Sequence, residues 1–337
     1  MSTRTTTTDR TTRDHDVTTT DPTAPSSQAT TRTVTVAMLT YKRPDDLRSA
    51  LPLVCAQLPQ EHAELLVVDN DPDGGARHVV EAAGDRRIRY VHEPTPGIAA
   101  ARNRALAETA SDVLVFIDDD ERPSEVWLSS LLAVHARERC AAVVGPVVSE
   151  YEIEPEPWIR EGGFFDRRRP ATGAVVEAAA TNNLLLDMAV VRRLGLEFDV
   201  RYGLTGGSDT LFTRRLSAAG ERIVWCAEAP VVDVVPRGRL TRRWVLQKAL
   251  RSGNSWSRTS LELAPGGLRS LPVRLRLLGE GLVRVGGGAG RLALGKVTRN
   301  RRHEAGGSRV LARGAGLVSG AVGWIYTEYR RPTTKRS

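Results

Sequence analysis

The stretch FIDDDERP, residues 116–123, places three consecutive carboxylates, Asp118, Asp119 and Asp120, directly after the apolar run 113–117. No basic residue separates them. Neighbouring carboxylates repel, and burying them without a cation costs several kcal/mol each, so the run demands a positive partner. A hard divalent cation, Mn2+ or Mg2+, supplies one. Such ions take oxygen ligands, retain several waters, and are shared between one or two carboxylates and substrate phosphates. Asp118 and Asp120, an Asp-x-Asp pair at a strand end, therefore have the spacing of a clamp on a metal-bound diphosphate. A solvated turn whose aspartates cap the next helix uses the same residues and stays open at this point.

Other groups can act with them. Asp69 closes the apolar stretch AELLVVDN and can accept hydrogen bonds from the N–H groups of a nucleobase. It can equally end its strand in an Asx-turn, with Asp71, Pro72 and Asp73 behind it. Thr40 and Tyr41 follow the first apolar strand and can line a base and a ribose. Arg102, on an alanine-rich helix after Gly97, can balance phosphate charge bidentately or face solvent beside Arg104. Asp209, in GGSD, sits at a glycine-flexed helix start where the macrodipole favours an anion; capping and base catalysis both suit it. The six histidines show neither HxxxH nor HExxH spacing and receive no chemistry.

These groups need a scaffold, and the pattern around them is α/β. Apolar strands are expected at 33–40, 63–70, 88–94 and 111–120, each a continuous run. Helices are expected at 43–58, shortened or kinked by Pro52, at 97–110, and from Pro123–Ser124 to about Arg139. Buried strands alternating with helices argue for a parallel sheet covered on both faces, with ligands beyond the carboxyl ends of the strands. Thr40–Tyr41, Asp69–Asn70 and Asp118–Asp120 all stand at those ends. Farther along come a strand at 143–151, a loop rich in Pro, Gly, Arg and aromatics at 154–173, the segment 178–187, and a short helix. The segment 202–220 and a strand at 222–236 complete this part. No GxGxxG follows the first strand and no GxxxxGK[ST] occurs, which argues against a dinucleotide fold or a P-loop.

At 337 residues, 41% hydrophobic and 26% charged, the chain can bury one core of roughly 200–250 residues plus appendages. Thirteen of the first 31 residues are threonine, too few large apolar groups to offset ordering entropy, so disorder is expected there. Cys55, Cys140 and Cys226 form no CxxC, which argues against a disulfide scaffold or zinc site and fits a reducing compartment. With no apolar signal segment at the N-terminus, a cytoplasmic location is expected.

Charge is divided unevenly. Residues 237–337 hold 22 Lys and Arg against 4 Asp and Glu, while the rest holds 26 against 36. A basic C-terminal third suits an anionic surface: anionic lipid, lipid-linked phosphate or nucleic acid. Few aromatics interleave its arginines and no nucleic-acid motif occurs, which disfavours nucleic acid. No run of apolar residues is long enough to span a bilayer, so amphipathic helices on the inner membrane face, or packing against the body, are the two expectations for 237–337.

Six stretches in order, VTVAMLTYKRPDDL, ELLVVDND, PGIAAARNRAL, VLVFIDDDERP, TNNLLLD and GGSDTLFTRRL, resemble a family-2 inverting glycosyltransferase of GT-A fold over residues 33–236. The resemblance implies three segments: a tail at 1–31, a GT-A domain at 32–236 with a mostly parallel sheet and helices on both faces, and a helical extension at 237–337. It implies a nucleoside-diphosphate sugar donor and an acceptor with a free hydroxyl; a lipid-linked acceptor would explain a membrane placement. Thr40, Tyr41, Arg43 of the Thr-Tyr-x-Arg-Pro turn, and Asp69 match positions at the nucleoside end, with Asp119 near the ribose. Gly97 and Arg102 match positions near the donor. Asp118 and Asp120 match the metal-binding pair, Asn183 an asparagine on the sugar or acceptor side, and Asp209 the catalytic base.

Three positions depart from the family pattern. Ser208 stands where a supporting carboxylate is usual, Asp233 or Val234 where many members carry a histidine, and Asn182 where glycine is commoner. Two other classes share part of this pattern. An aspartyl-nucleophile phosphohydrolase carries its Asp-x-Asp on the first strand, followed by Thr or Val, whereas here the pair is on the fourth strand and Arg122 stands at that offset. A non-catalytic nucleotide- or polyanion-binding protein would use the basic C-terminal region alone.

Overall fold

The computed structural model describes residues 32–326. The disorder expected over 1–31, and the last eleven positions of the basic segment, 327–337, fall outside them. The four expected apolar strands are β1 (Val34–Thr40), β2 (Ala63–Asp69), β3 (Ile88–His92) and β4 (Val113–Asp118). They run parallel in the order β3-β2-β1-β4.

The helices that cover them are α1 (Pro44–Cys55), α2 (Arg77–Ala83), α3 (Ile98–Glu108), α4 (Trp127–Glu138), α6 (Met188–Arg193) and α7 (Ser208–Ala218), while α5 (Pro157–Glu161) packs apart from the sheet. Along β4, Val113, Val115 and Ile117 enter one core while Leu114 and Phe116 enter the other, the period of two that a strand imposes. The first core is closed by Leu47, Leu51 and Val54 of α1 with Trp127 and Leu131 of α4. Ala99, Ala101 and Ala105 of α3 close the second, with Phe212 and Leu216 of α7. Pro52 lies in the last turn of α1, which ends at Cys55.

Several boundaries differ from the expectations. Pro123 does not open a helix. It ends a short strand, β5 (Glu121–Pro123), that grows out of the acidic run, and α4 begins at Trp127. The segment 143–151 divides into β6 (Ala142–Val144) and β7 (Val147–Tyr151), which belong to different sheets. The break falls at Gly145, where a Cβ would run into the Asn183 side chain and the Ala229 carbonyl. β8 (Asn183–Asp187) inserts antiparallel between β4 and β6. The segment 222–236 likewise divides, into β9 (Ile223–Trp225) at the edge of the main sheet and β10 (Val231–Val235). A second, three-stranded sheet has the order β5-β10-β7.

The basic segment forms α8 (Arg242–Glu262), α9 (Leu271–Val297) and α10 (Arg301–Ala321). Glycine costs about 1 kcal/mol per helical position relative to alanine, so the many glycines here require a packing reason. They have one. A Cβ on Gly288 would lie 2.5 Å from the Leu311 amide nitrogen, and one on Gly320 would lie 2.6 Å from the Asn254 carbonyl oxygen. The helix backbones thus approach as closely as small-residue pairs permit. The helices also join the body: Val245 of α8 and Ala305 of α10 share a core with Trp158, Ile159 and Phe165. No helix among the described residues is long and apolar enough to cross a membrane.

Candidate active site

The parallel register brings the polar strand ends together. Thr40 pairs with Asp69 across β1 and β2, and Leu39 pairs with Asp118 across β1 and β4. Above them opens a cavity of about 900 Å³ bordered by Thr40, Tyr41, Arg43, Gly97, Arg102 and the run Asp118–Glu121. A second cavity, of about 440 Å³, is bordered by Asp209, Ala178–Ala180 and Trp256. Ile98, Arg102, Lys248 and Arg251 border both, so the cavities meet at a cationic neck.

The acidic run is where the electrostatics are least comfortable. Burial, then Asp120, pushes the Asp118 carboxyl up to about 6, against Arg102 and Arg43, with Asp233 raising it further. Burial pushes Asp119 up to about 7, although the Thr40 hydroxyl and the Arg43 guanidinium favour its charged form. Glu121, also buried and close to Asp118, rises well above the usual carboxylate range. Arg43 answers part of this, 2.6 Å from Asp120 Oδ2 and 3.3 Å from Asp119 Oδ1. Asp119 Oδ2 remains buried without a hydrogen-bond partner. Among the described residues no three carboxylate, histidine or cysteine side chains are gathered to hold an ion by themselves. The donor set therefore fits an ion that takes two carboxylate oxygens and completes its shell with phosphate and water, as Mg2+ and Mn2+ do.

A pH dependence follows from these shifts. Both carboxyls titrate above their unfolded values, so between about pH 4 and about pH 7 the folded chain holds more protons than the unfolded one. Stability without metal then falls as pH rises through that window. Metal binding needs the deprotonated carboxylates and runs the other way: Mn2+ affinity should weaken by about tenfold per pH unit below pH 6. Titration calorimetry from about pH 5 to about pH 8 measures this. Affinity that does not change over that range would remove the cluster from the site.

Two expected site residues have other places. Asp69 is fully buried, and both its oxygens are committed: Oδ1 accepts from the Asp71 amide, and Oδ2 from the Ala76 amide and the Tyr90 hydroxyl, each at 2.9 Å. It organises the β2–α2 loop as the Asx-turn alternative predicts, and does not border the cavity. Asn183 is also fully buried. Its Oδ1 accepts from Trp127 Nε1 at 2.8 Å and its Nδ2 donates to the carbonyls of Pro146 and Ala229. Asn182 is the asparagine that borders the cavity, donating from Nδ2 to Glu121 Oε1 at 2.7 Å.

The remaining expectations fall on cavity walls. Thr40 is buried at the base, and Tyr41 stands at the rim. Gly97 has a left-handed φ of 119°, and its amide donates to Asn70 Oδ1 at 3.2 Å, which fixes the start of α3. Arg102 donates to the Ser208 hydroxyl at 2.7 Å and lies over the Phe198 ring. Ser208, the departure from the usual carboxylate, is thus an anchor for Arg102. Asp209 stands two residues after Gly207, whose φ is 97°, and no side chain caps α7. Its Oδ1 accepts from the adjacent Thr210 amide at 2.7 Å.

Further wall residues come from segments the motifs did not reach. Asp233 on β10 pairs across the strands with Glu121, so it borders the larger cavity beside the acidic run, and it pairs with Arg167 at 3.5 Å, whereas Val234 does not border the cavity. The aromatic–basic loop is divided in role: Trp158 and Phe165 are core, and Arg167 is wall. Trp244, Lys248 and Arg251 of α8 complete the neck side. The stretch 241–258 reads as a helix from its sequence and α8 spans Arg242–Glu262, but the pattern does not specify which face meets the cavity.

Comparisons with known proteins bear on the family and the fold. Residues 35–195 match the family described as glycosyl transferase family 2. The succinoglycan biosynthesis protein ExoM of Rhizobium meliloti (strain 1021) is 32% identical over 237 residues, covering 69% of this chain and 77% of ExoM. Among solved structures, GalNAc-T7 with UDP, GalNAc and Mn2+ superposes with a TM-score of 0.53 at 14% identity, over 69% of this chain and 48% of its own. Residues 1–349 of S. aureus TarS superpose with a TM-score of 0.50 at 14% identity, over 83% of this chain and 90% of that one. The chain spans about half the length of GalNAc-T7. These two structures share the GT-A architecture expected from the six stretches.

Proposed function

Because the chain belongs to glycosyl transferase family 2, we propose that it moves a sugar from a nucleoside diphosphate sugar to an acceptor hydroxyl, inverting the anomeric centre in one displacement. The observation that carries this proposal is the junction of the two cavities, with the acidic run on the larger and Asp209 on the smaller. Thr40, Tyr41 and Asp119 receive the nucleoside, and Asp69 shapes the loop beneath it. Asp118 and Asp120 would hold a Mn2+ or Mg2+ ion, whose charge offsets that building on the departing diphosphate. Arg43 and Arg102 offset the same charge from the protein side. Asn182 faces the sugar, and Asn183 anchors the strand that carries it. Asp209 takes the proton of the acceptor hydroxyl as its oxygen attacks the anomeric carbon from the face opposite the leaving diphosphate.

A thermal-shift panel of UDP-, GDP- and dTDP-sugars, with and without Mn2+, tests donor and metal together. One nucleotide series should stabilise the chain only with the metal present, by about 2.7 kcal/mol at ligand near 100 times Kd. Stabilisation that is equal without metal, or absent for every series, would refute the donor and metal assignments.

The surface of α9 favours one further element of the same proposal, a lipid-linked acceptor met at an anionic membrane. Leu275, Leu282, Val283, Leu294 and Val297 are each more than half exposed, with Arg276 and Arg291 on the same helix. An apolar face with arginine borders on a strongly basic segment is complementary to the anionic inner leaflet. The full chain should float with phosphatidylglycerol-containing vesicles and not with pure phosphatidylcholine. Leu275→Glu combined with Leu282→Glu should abolish flotation; unchanged flotation would detach α9 from the membrane.

A further inference from the structure

Six cationic side chains border the larger cavity: Arg43, Arg102, Arg167, Arg239, Lys248 and Arg251. Arg43 is matched by Asp119 and Asp120, and Arg167 by Asp233. Lys248 is held differently. Its Nζ lies 5.0 Å from the centre of the Phe165 ring and 5.2 Å from that of Trp244, two rings that stack 6.0 Å apart. Aromatic faces attract an ammonium and fix its position, but they accept none of its strong hydrogen bonds. Among the described residues no carboxylate lies within ion-pair distance of Lys248.

The surrounding charges sharpen this. Arg167 from the loop after α5, Arg251 on the next turn of α8, and Arg239 just before α8 all act against the ammonium, while Asp233 on β10 favours it. Arg102 of α3 borders the same neck. Burial, reinforced by Arg167 and Arg251, brings Lys248 down to about 8. A cation placed among cations, at the point where two cavities meet, is stabilised by an arriving anion.

We propose that Lys248 is the seat of a phosphate-type oxyanion at the neck between the two cavities, either the diphosphate of the donor or a phosphate carried by the acceptor. Only the identity of that anion as a reactant rests on the transferase proposal; the binding itself does not. The ammonium donates to the oxyanion while Phe165 and Trp244 hold it in place. Because α8 supplies it, the helical extension takes part in the site and is more than a cover.

Calorimetric titration of the full chain with inorganic pyrophosphate and Mg2+ tests the seat. Lys248→Met should weaken binding by about ten- to a hundredfold at neutral pH, and Lys248→Arg should retain it. Arginine stays charged, and the titration of the ligand itself is common to both proteins. The affinity of wild type relative to Lys248→Arg should therefore fall about tenfold between pH 7 and pH 9. A second titration, with inorganic phosphate on chain saturated with UDP and Mn2+, separates the two sources. Phosphate that still binds, and binds less well to Lys248→Met, assigns the seat to the acceptor; exclusion of phosphate by UDP assigns it to the donor. Wild-type affinity for both anions in Lys248→Met, or a wild-type to Lys248→Arg ratio that is flat with pH, overturns the proposal. Transfer is not measured in either titration, so a wrong assignment of Asp209 would leave the result intact.

Discussion

Asp209→Asn should lower sugar transfer by about 10²–10⁴-fold while Mn2+-dependent nucleotide binding stays at the wild-type level. The substitution keeps the shape of the side chain and an oxygen that can still accept from the Thr210 amide, so the start of α7 is preserved. What it removes is the capacity to take a proton. Asp209 borders the smaller cavity and not the larger, so donor binding has no direct reason to change. The loss should therefore appear in kcat at unchanged donor KM, the signature of an interaction made only in the transition state. Wild-type turnover would mean that the acceptor proton leaves by another route.

Asp118→Asn should act in two opposite directions. Donor binding and transfer should lose metal dependence, with kcat/KM reduced by about 10³-fold, because several kcal/mol of charge stabilisation at the leaving group disappear. Metal-free stability should rise. Burial and Asp120 push the Asp118 carboxyl up to about 6, so at pH 8 its charged form is disfavoured in the folded chain and costs nothing in the unfolded one. A neutral side chain of the same shape removes that cost, worth on the order of 1 kcal/mol, and the melting temperature at pH 8 should increase by a few degrees. Functional sites commonly carry such opposed effects. A variant that is both inactive and less stable would show that Asp118 serves packing rather than charge.

The sheet was legible where burial is continuous. In β1, β2 and β4, runs of apolar residues end abruptly in polar ones, and of those endings Thr40, Asn70 and Asp118 border the cavity while Asp69 lies beneath it. Legibility failed where one residue decides which face is seen. Asn182 and Asn183 are neighbours at the start of β8, and the alternation of a strand sends one to the cavity and the other into the core. Asp69 offered donor recognition and turn formation with the same chemistry; only the positions of the Asp71 and Ala76 amides decide between them.

The C-terminal helices were harder for a different reason. Their contacts run through glycines, so no apolar stripe announced which faces would pack. β8 gave no sign of its direction either, because an antiparallel strand buried on both faces has the same composition as a parallel one. Nothing in the sequence around Lys248 marks it out, because its partner ring, Phe165, comes from a loop some eighty residues earlier.

The most direct measurement is anomalous diffraction from crystals of the full chain grown with UDP and Mn2+. A manganese peak within coordinating distance of both Asp118 and Asp120, and against the diphosphate, is the expected result. Ordered UDP with those two carboxylates contacting only water or Arg43, and no manganese peak between them, would contradict it.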